Sequence, residues 1–189
     1  NEDYDAIRKG ERDNIFNAAK ANSLPVANSQ SGSPRHYSKG SFVLEMLRDE
    51  LGNDNYRKSI KKYLQNFGHK NVETNDLMAS IYETTGRNVD GFFDQWVYRG
   101  GEPELLVTID TFENVVRIIT EQIHSKKNDV TNFKMKMKLQ VLDIDNKEEN
   151  YSMDIKNNLD TLYIIRTNLP KFKIAMLDPD MKFIRKINY

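Results

Sequence analysis

The fold is decided by the stretch Pro34-Arg35-His36-Tyr37-Ser38-Lys39-Gly40-Ser41-Phe42-Val43-Leu44-Glu45-Met46-Leu47-Arg48-Asp49-Glu50-Leu51-Gly52. Apolar and small residues recur in it at three- and four-residue steps, which predicts one amphipathic helix. The shared face is expected to comprise Tyr37, Gly40, Val43, Leu44, Leu47 and Leu51. Pro34 suits the first turn of this helix, and Gly52 suits its C-terminal cap. Because helical side chains lean toward the N-terminus, we expect Tyr37 to project beyond the first turn.

The composition excludes several classes of protein. The chain has 189 residues, with 28 basic and 28 acidic side chains, so its formal net charge is zero. A neutral chain is a poor candidate for non-specific nucleic-acid binding. Its mean hydropathy is −0.71, and the sequence predicts no membrane span. There is no cysteine, which excludes disulfides but leaves the compartment open, with bacterial cytoplasm and periplasm both compatible.

The sequence predicts an α+β multidomain chain, with a helical domain over residues 1–101. A helix is expected over residues 2–21, followed by the helix quoted above and three more, the last over residues 90–98. Asn53 and Thr74 are the expected N-caps of the third and fourth helices. The expected buried face of the third helix comprises Tyr56, Ile60, Tyr63, Leu64 and Phe67, and the fourth helix is anchored by Leu77, Met78, Ile81 and Tyr82.

The periodicity changes after Gly101-Glu102-Pro103, and residues 102–189 are predicted to form an all-β domain. Residues 133–141 alternate apolar and polar side chains without a slip, which is typical of a strand with one wet face. The expected strands cover residues 104–110, 115–123, 133–141, 149–155, 161–166, 172–177 and 182–187. Seven short strands with polar turns favour an immunoglobulin-like sandwich.

Several motifs occur in an order that resembles the alanyl aminopeptidase (aminopeptidase N) family of zinc metallopeptidases, of the gluzincin type. These are Leu24-Pro25-Val26, then Tyr37-Ser38-Lys39-Gly40-Ser41, then Asn71-Val72-Glu73-Thr74-Asn75-Asp76-Leu77, then Phe92-Phe93-Asp94-Gln95-Trp96, then Gly101-Glu102-Pro103. The resemblance is close over the first half and rests on position and on Leu177-Asp178-Pro179-Asp180 in the second. It implies a helical catalytic part followed by a sandwich domain.

The resemblance also implies a role for Tyr37, whose hydroxyl would stabilise the tetrahedral transition state of peptide hydrolysis. A phenol can donate to an oxyanion that gains charge during the reaction. Family members hold zinc with His-Glu-x-x-His and a later Glu, and this sequence lacks that motif. We therefore expect a C-terminal fragment that is inactive alone, binds no cofactor itself, and depends on a missing N-terminal catalytic part and a peptide substrate.

Two other functions are weighed against the enzyme. The parent protein could have lost its zinc site and act as a scaffold or protein-interaction module, which a search of the upstream sequence for His-Glu-x-x-His would reveal. A stand-alone binding protein is less favoured, since the helices display more apolar surface than they can bury among themselves.

Structural roles are expected for the remaining conspicuous residues. His36, His69 and His124 share no metal-ligand spacing. The alternating lysines Lys134, Lys136 and Lys138 are interpreted as a solvated strand face rather than a nucleic-acid stripe. The aromatic residues Phe92, Phe93 and Trp96 are interpreted as core rather than as a stacking platform.

Overall fold

The structure is a computed structural model that describes residues 2–112, 115–124, 129–165 and 172–189. Within these ranges, helices occupy the first half and strands the second, in the order that the sequence predicts. The last residue of the predicted strand 161–166 lies outside the described ranges. Among the described residues, no helix has both the length and the apolar character needed to cross a membrane.

The helical half contains five α-helices and two π-helical turns in the part of the chain that is described. The α-helices are α1 (Glu2–Ala19), α2 (Gly40–Leu51), α3 (Asn53–Phe67), α4 (Thr74–Thr85) and α5 (Asp90–Phe93). The π-helical turn Pro34–Lys39 runs directly into α2, and we call it the tyrosine turn. The second π-helical turn, Asp94–Tyr98, continues α5. The helix predicted over the quoted stretch is thus continuous, with a wider first turn than expected.

Two of the predicted N-caps are wrong by one residue. Gly52 lies between α2 and α3 with φ 79°, where it closes α2 and caps α3 in place of Asn53. At the start of α4 the cap is Glu73, and its backbone N–H donates to the Asp76 carboxylate at 2.8 Å. Glycine is favoured at the first position because L-residues rarely adopt a positive φ.

The buried faces agree with the sequence for α5 and only partly for α3 and α4. Phe93 in α5 and Trp96 in the second π-helical turn are buried, and Phe92 is partly buried against the same core, which confirms the core interpretation of these aromatic residues. In α4, Ile81 is buried whereas Tyr82 is exposed. In α3 the prediction for Leu64 is wrong, since 60% of this residue is exposed. Apolar periodicity marks a face suited to packing, and no described segment covers this one.

In the described ranges, seven strands form two sheets. The strands are β1 (Glu104–Phe112), β2 (Val115–Gln122), β3 (Met135–Asp143), β4 (Glu148–Ile155), β5 (Leu159–Ile165), β6 (Phe172–Leu177) and β7 (Lys186–Asn188). One sheet has the order β5-β2-β1-β7 and the other β4-β3-β6. Neighbouring strands are antiparallel except for the parallel pair of β1 and β7.

Strand β3 alternates as predicted, with Met135 and Met137 buried and Lys136 exposed. Buried side chains of both sheets and of the helices belong to one hydrophobic cluster. The helical part ends at Tyr98 and β1 begins at Glu104, on either side of the predicted boundary. The division into domains at 101/102 and the immunoglobulin-like assignment stay predictions.

Polar and aromatic contacts join the helical half to the two residues that precede β3, Phe133 and Lys134. The rings of Trp96 and Phe133 lie with their centroids 5.2 Å apart. Gln95 makes two hydrogen bonds with the backbone of Lys134, donating to its carbonyl at 3.1 Å and accepting from its N–H at 2.7 Å. These bonds fix the position of the second π-helical turn relative to the start of β3.

Candidate functional site

Tyr37 lies in the middle of the tyrosine turn, on the surface of the protein. Its exposed fraction is 76%. The wide turn is closed by the backbone N–H of Gly40, which donates to the carbonyl of Arg35 five residues earlier. π-Helical turns are rare and occur frequently at functional sites. Tyr37 makes no side-chain hydrogen bond to any residue that the structure describes, so its hydroxyl is free to meet another molecule.

The predicted apolar face of this helix requires a correction. The side chains that α2 buries are Phe42, Val43, Met46, Leu47 and Leu51, whereas Tyr37 and Leu44 are exposed. Both of these exposed side chains face outward from the helical half. The prediction that Tyr37 and Leu44 share one face with Val43, Leu47 and Leu51 is therefore wrong, and the Tyr37 hydroxyl is not sealed inside the chain.

The opposite side of the tyrosine turn carries two cations that no solvent reaches. Arg35 and Lys39 are each 0% exposed, and they stand two residues before and two residues after Tyr37. Both form ion pairs with the carboxylate of Glu102, a residue that is only 5% exposed. The Lys39 Nζ lies 3.3 Å from Glu102 Oε1, and the Arg35 guanidinium also contacts that atom. We call these three residues the Arg35–Lys39–Glu102 cluster.

Backbone carbonyls complete the shell around both cations. The Arg35 guanidinium donates to the carbonyl of Asn22, and its Nε donates to Asn22 Oδ1 at 3.3 Å. Lys39 Nζ donates to the carbonyl of Gly101 at 3.0 Å. Buried charges are tolerated when they are paired and hydrogen-bonded. These carbonyls supply hydrogen-bond acceptors in addition to those of the single Glu102 carboxylate. The tyrosine turn is thereby tied to two other segments, the loop after α1 and the segment before β1.

Burial shifts the ionisation of the lysine in this cluster. It lowers the pKa of Lys39 from its ordinary value of 10.5, because the charged form is deprived of water. The Glu102 carboxylate opposes this effect and the Arg35 guanidinium adds to it. Burial of Lys39 thus destabilises the protonated form of its amine relative to the neutral form.

The two segments that enclose the cluster approach each other closely. A Cβ atom on Gly100 would lie only 1.8 Å from the carbonyl oxygen of Ser23, so only glycine fits this contact. The Ala27 N–H donates to the Val97 carbonyl at 3.0 Å. Gly100 donates its own N–H to the Asp129 carboxylate at 2.9 Å. The loop after α1 is therefore fixed against the end of the helical half.

The other candidate residues show no metal-binding or catalytic arrangement. Among the described residues, no group of three His, Cys, Asp or Glu side chains is placed to hold a metal ion. His36 Nε2 contacts the Asn28 carbonyl at 2.9 Å, and His124 Nε2 contacts the carbonyls of Val130 and Thr131. His69 is exposed with φ 63°.

The lysines of β3 flank a surface cleft rather than a uniform basic stripe. The cleft has a volume of about 430 Å³ and lies between α2 and β3, with acidic as well as basic side chains in its lining. Lys138 pairs with Asp180 at 3.5 Å, and Lys182 pairs with Asp49 at 3.0 Å. The mixed charge agrees with the interpretation of these lysines as a solvated face.

Sequence reasoning proposed Tyr37 as a candidate site residue and missed the Arg35–Lys39–Glu102 cluster behind it. Arg35 and Lys39 are four residues apart and continue the stripe of Phe42, Val43 and Met46 toward the N-terminus. Charged side chains at two successive positions of an apolar stripe are a signal of paired burial. Glu102, between Gly101 and Pro103, is the partner that this signal could have suggested.

Comparisons with known proteins agree with the fold and with the motifs. Residues 15–96 match the model of the peptidase family M1 domain. The chain is 34% identical over 88 residues to the tricorn protease-interacting factor F2 of Thermoplasma volcanium, covering 47% of this chain and 11% of that protein. It is 25% identical over 154 residues to aminopeptidase A of Gloydius brevicauda, covering 81% of this chain and 16% of that protein.

The solved structure of Legionella pneumophila aminopeptidase A in complex with aspartic acid shares the fold. It superposes with a TM-score of 0.67 at 15% identity, covering 84% of this chain and 18% of that chain. At this coverage and TM-score, the chain has part of an aminopeptidase fold. Residues 15–96 are therefore similar to the peptidase family M1 domain.

Proposed function

We propose that this chain is the C-terminal part of a zinc-dependent aminopeptidase that removes N-terminal residues from peptides. Its relatives are aminopeptidases of peptidase family M1, which are zinc metallopeptidases. The chain spans 11% and 16% of the length of the relatives described above. The rest of such an enzyme would supply the remaining catalytic groups.

In this proposal, Tyr37 stabilises the transition state. Addition of water to a peptide carbonyl places negative charge on the carbonyl oxygen, and a neutral hydroxyl can donate a hydrogen bond to it. The bond strengthens as the charge develops, which is the condition for lowering the barrier rather than only binding substrate. The observation that carries the proposal is the exposed Tyr37 side chain, presented by a turn whose backbone is anchored from behind.

The metal would be held elsewhere in the polypeptide. The described residues do not fit a zinc ion, because they contain no suitable group of three ligands. Zinc supplies polarisation of the carbonyl and of water in this class of enzyme. Its ligands, the general-base glutamate and the residues that bind the substrate amine would lie in the N-terminal catalytic part. The 189-residue chain alone is therefore expected to be inactive.

A surface that suits that N-terminal part is present on α3. Tyr56, Ile60 and Leu64 follow one another at four-residue steps and line an open groove of about 500 Å³. Leu64, in the last turn of α3, is largely exposed. We propose that this face of α3 packs against the N-terminal part. We also propose that residues 102–189 form the immunoglobulin-like domain that follows the catalytic domain.

The catalytic role of Tyr37 is tested by Tyr37→Phe in the full-length enzyme. Loss of one oxyanion donor typically lowers kcat by about 10²–10³-fold, with little change in folding stability for an exposed hydroxyl. Tyr82→Phe is the matched control, since Tyr82 is another exposed tyrosine on a helix of the same half. Near-normal kcat for Tyr37→Phe would remove Tyr37 from the mechanism.

The dependence on an N-terminal part is tested with the chain alone. Purified 189-residue chain should not hydrolyse an aminoacyl-anilide, with or without added zinc. Hydrolysis above the level of a Tyr37→Phe preparation would show that the chain contains a complete active site.

A further inference from the structure

The side chain of Tyr37 has no hydrogen-bond partner among the described residues, so its direction depends on the backbone that carries it. That backbone is anchored by Arg35 and Lys39, which stand two residues to either side. On a helix, residues two positions before and after a given residue point away from it. The exposed tyrosine and the two buried cations therefore occupy opposite sides of one turn.

Stability alone does not account for burying two cations with one carboxylate. Replacing a buried ion pair with apolar side chains of similar size is often neutral or stabilising. Charged hydrogen bonds differ from apolar contacts in being directional, so they fix the rotation and height of the turn. Through such bonds the Arg35–Lys39–Glu102 cluster joins three segments. These are the tyrosine turn, the loop that contains Asn22, and the segment before β1 that contains Gly101.

We propose that Arg35, Lys39 and Glu102 are positioning residues for Tyr37, holding the tyrosine turn so that the phenol meets the reacting carbonyl. The inference rests on the proposed function, because it assigns a support to the tyrosine of that site. None of the three residues touches substrate, since all are buried behind the turn. Small displacements of a catalytic group are costly, as a misplacement of about 1 Å can reduce a rate by about 10²-fold.

The test is a double-mutant cycle in the full-length enzyme with Tyr37→Phe, Glu102→Gln and the combination. Glu102→Gln should lower kcat at least about tenfold with KM changed less than about twofold, because orientation matters chiefly in the transition state. In the Tyr37→Phe background, Glu102→Gln should cause no further loss of kcat, because the group that it positions is already absent.

The matched control is Asp49→Asn. Asp49 pairs with Lys182 at 3.0 Å and also joins the helical half to the strand half, but both side chains are about half exposed. This variant should leave kcat and KM unchanged. The inference fails, and the cluster is only structural, in either of two cases. In the first, Glu102→Gln raises KM without lowering kcat; in the second, its loss of kcat multiplies with the loss caused by Tyr37→Phe.

A separate outcome identifies failure of the proposed function itself. If Tyr37→Phe leaves kcat normal, Tyr37 is not catalytic, whatever Glu102→Gln does. If Glu102→Gln does not fold well enough to assay, Lys39→Met takes its place, since it keeps the Arg35–Glu102 pair and the volume of the side chain. It is expected to lower kcat in the same pattern, and an unchanged kcat overturns the inference.

A measurement on the 189-residue chain needs no activity. Backbone ¹⁵N relaxation of the Tyr37 amide should show increased motion in Glu102→Gln or Lys39→Met relative to wild type, and no increase in Asp49→Asn. Identical relaxation in all four proteins would show that the cluster does not fix the turn.

Discussion

Glu102→Gln should be among the most destabilising single substitutions in this chain. The change keeps the shape of the side chain but removes the only carboxylate that pairs with Arg35 and Lys39 in the described structure. The formal charge of the cluster rises from one to two positive units, and neither cation has solvent contact. Breaking a buried ion pair from one side typically costs about 3–5 kcal/mol.

This cost is large relative to the stability of a typical protein, which is about 5–15 kcal/mol. A chain of this size loses about 2–4 °C in Tm for each kcal/mol, so we expect a fall of roughly 6–20 °C. Thermal unfolding of the 189-residue chain by circular dichroism measures it. The control is Asp94→Asn, which removes an exposed ion pair with Arg99 and should cost less than about 1 kcal/mol.

The comparison between these two variants decides the matter. If Glu102→Gln and Asp94→Asn shift Tm equally, water reaches the cluster and the carboxylate is no more than a surface partner. If Glu102→Gln raises Tm, desolvation of the Glu102 carboxylate costs more than its attraction to the two cations returns. Either result would refute the reasoning that the carboxylate stabilises two cations that are deprived of water.

Two more effects follow from buried groups. Gln95→Ala leaves the backbone N–H and carbonyl of Lys134 without their partner, which should cost about 1–3 kcal/mol and speed hydrogen exchange at the Lys134 amide. Lys39→Met should remove a pH dependence: the folded chain has a lowered pKa for Lys39, whereas the unfolded chain keeps the ordinary value of 10.5. Between these values the unfolded chain holds a proton that the folded chain has released, so wild-type stability rises with pH toward 10.5 and the variant lacks this rise.

Matched variants separate these effects from general damage. Gln65→Ala changes an exposed glutamine on α3 and is the control for Gln95→Ala. It should leave unchanged both the midpoint of urea unfolding, which measures the stability loss, and the hydrogen exchange of the Lys134 amide. Lys61→Met removes an exposed lysine and should retain the wild-type pH profile. Parallel profiles for wild type and Lys39→Met would contradict the assigned direction of the Lys39 pKa shift.

Periodicity predicted most helices and strands of this fold because one side of each packs against the core and the other side is exposed to solvent. Strand β3 is the clearest case, since its methionines face the core and Lys136 faces water, as alternation requires. The segment with Phe93 and Trp96 was also predicted well, because large aromatic residues at helical spacing have few stable places outside a core.

The same reasoning failed where the surroundings lie beyond the local sequence. Leu64 and Tyr82 have helical spacing with other apolar residues, yet no described segment covers them. The tyrosine turn escaped prediction for a different reason. Periodicity assumes a uniform helix, and a π-helical turn changes the angular position of the residues before it, so Tyr37 does not share the buried face of Val43, Leu47 and Leu51.

Burial of Arg35 and Lys39 also explains how the two halves acquire a defined orientation. Apolar contacts such as that between Trp96 and Phe133 favour close packing but resist rotation weakly, because dispersion and the hydrophobic effect are not directional. The bonds from Lys39 to Gly101 and Glu102 are directional, and they act at the point where the helical half passes into β1. A change of the angle between the halves would break them and leave charge buried without a partner. The Arg35–Lys39–Glu102 cluster therefore contributes both to the orientation of the strand half and to the direction of the Tyr37 side chain, so a substitution that loosens one should loosen the other.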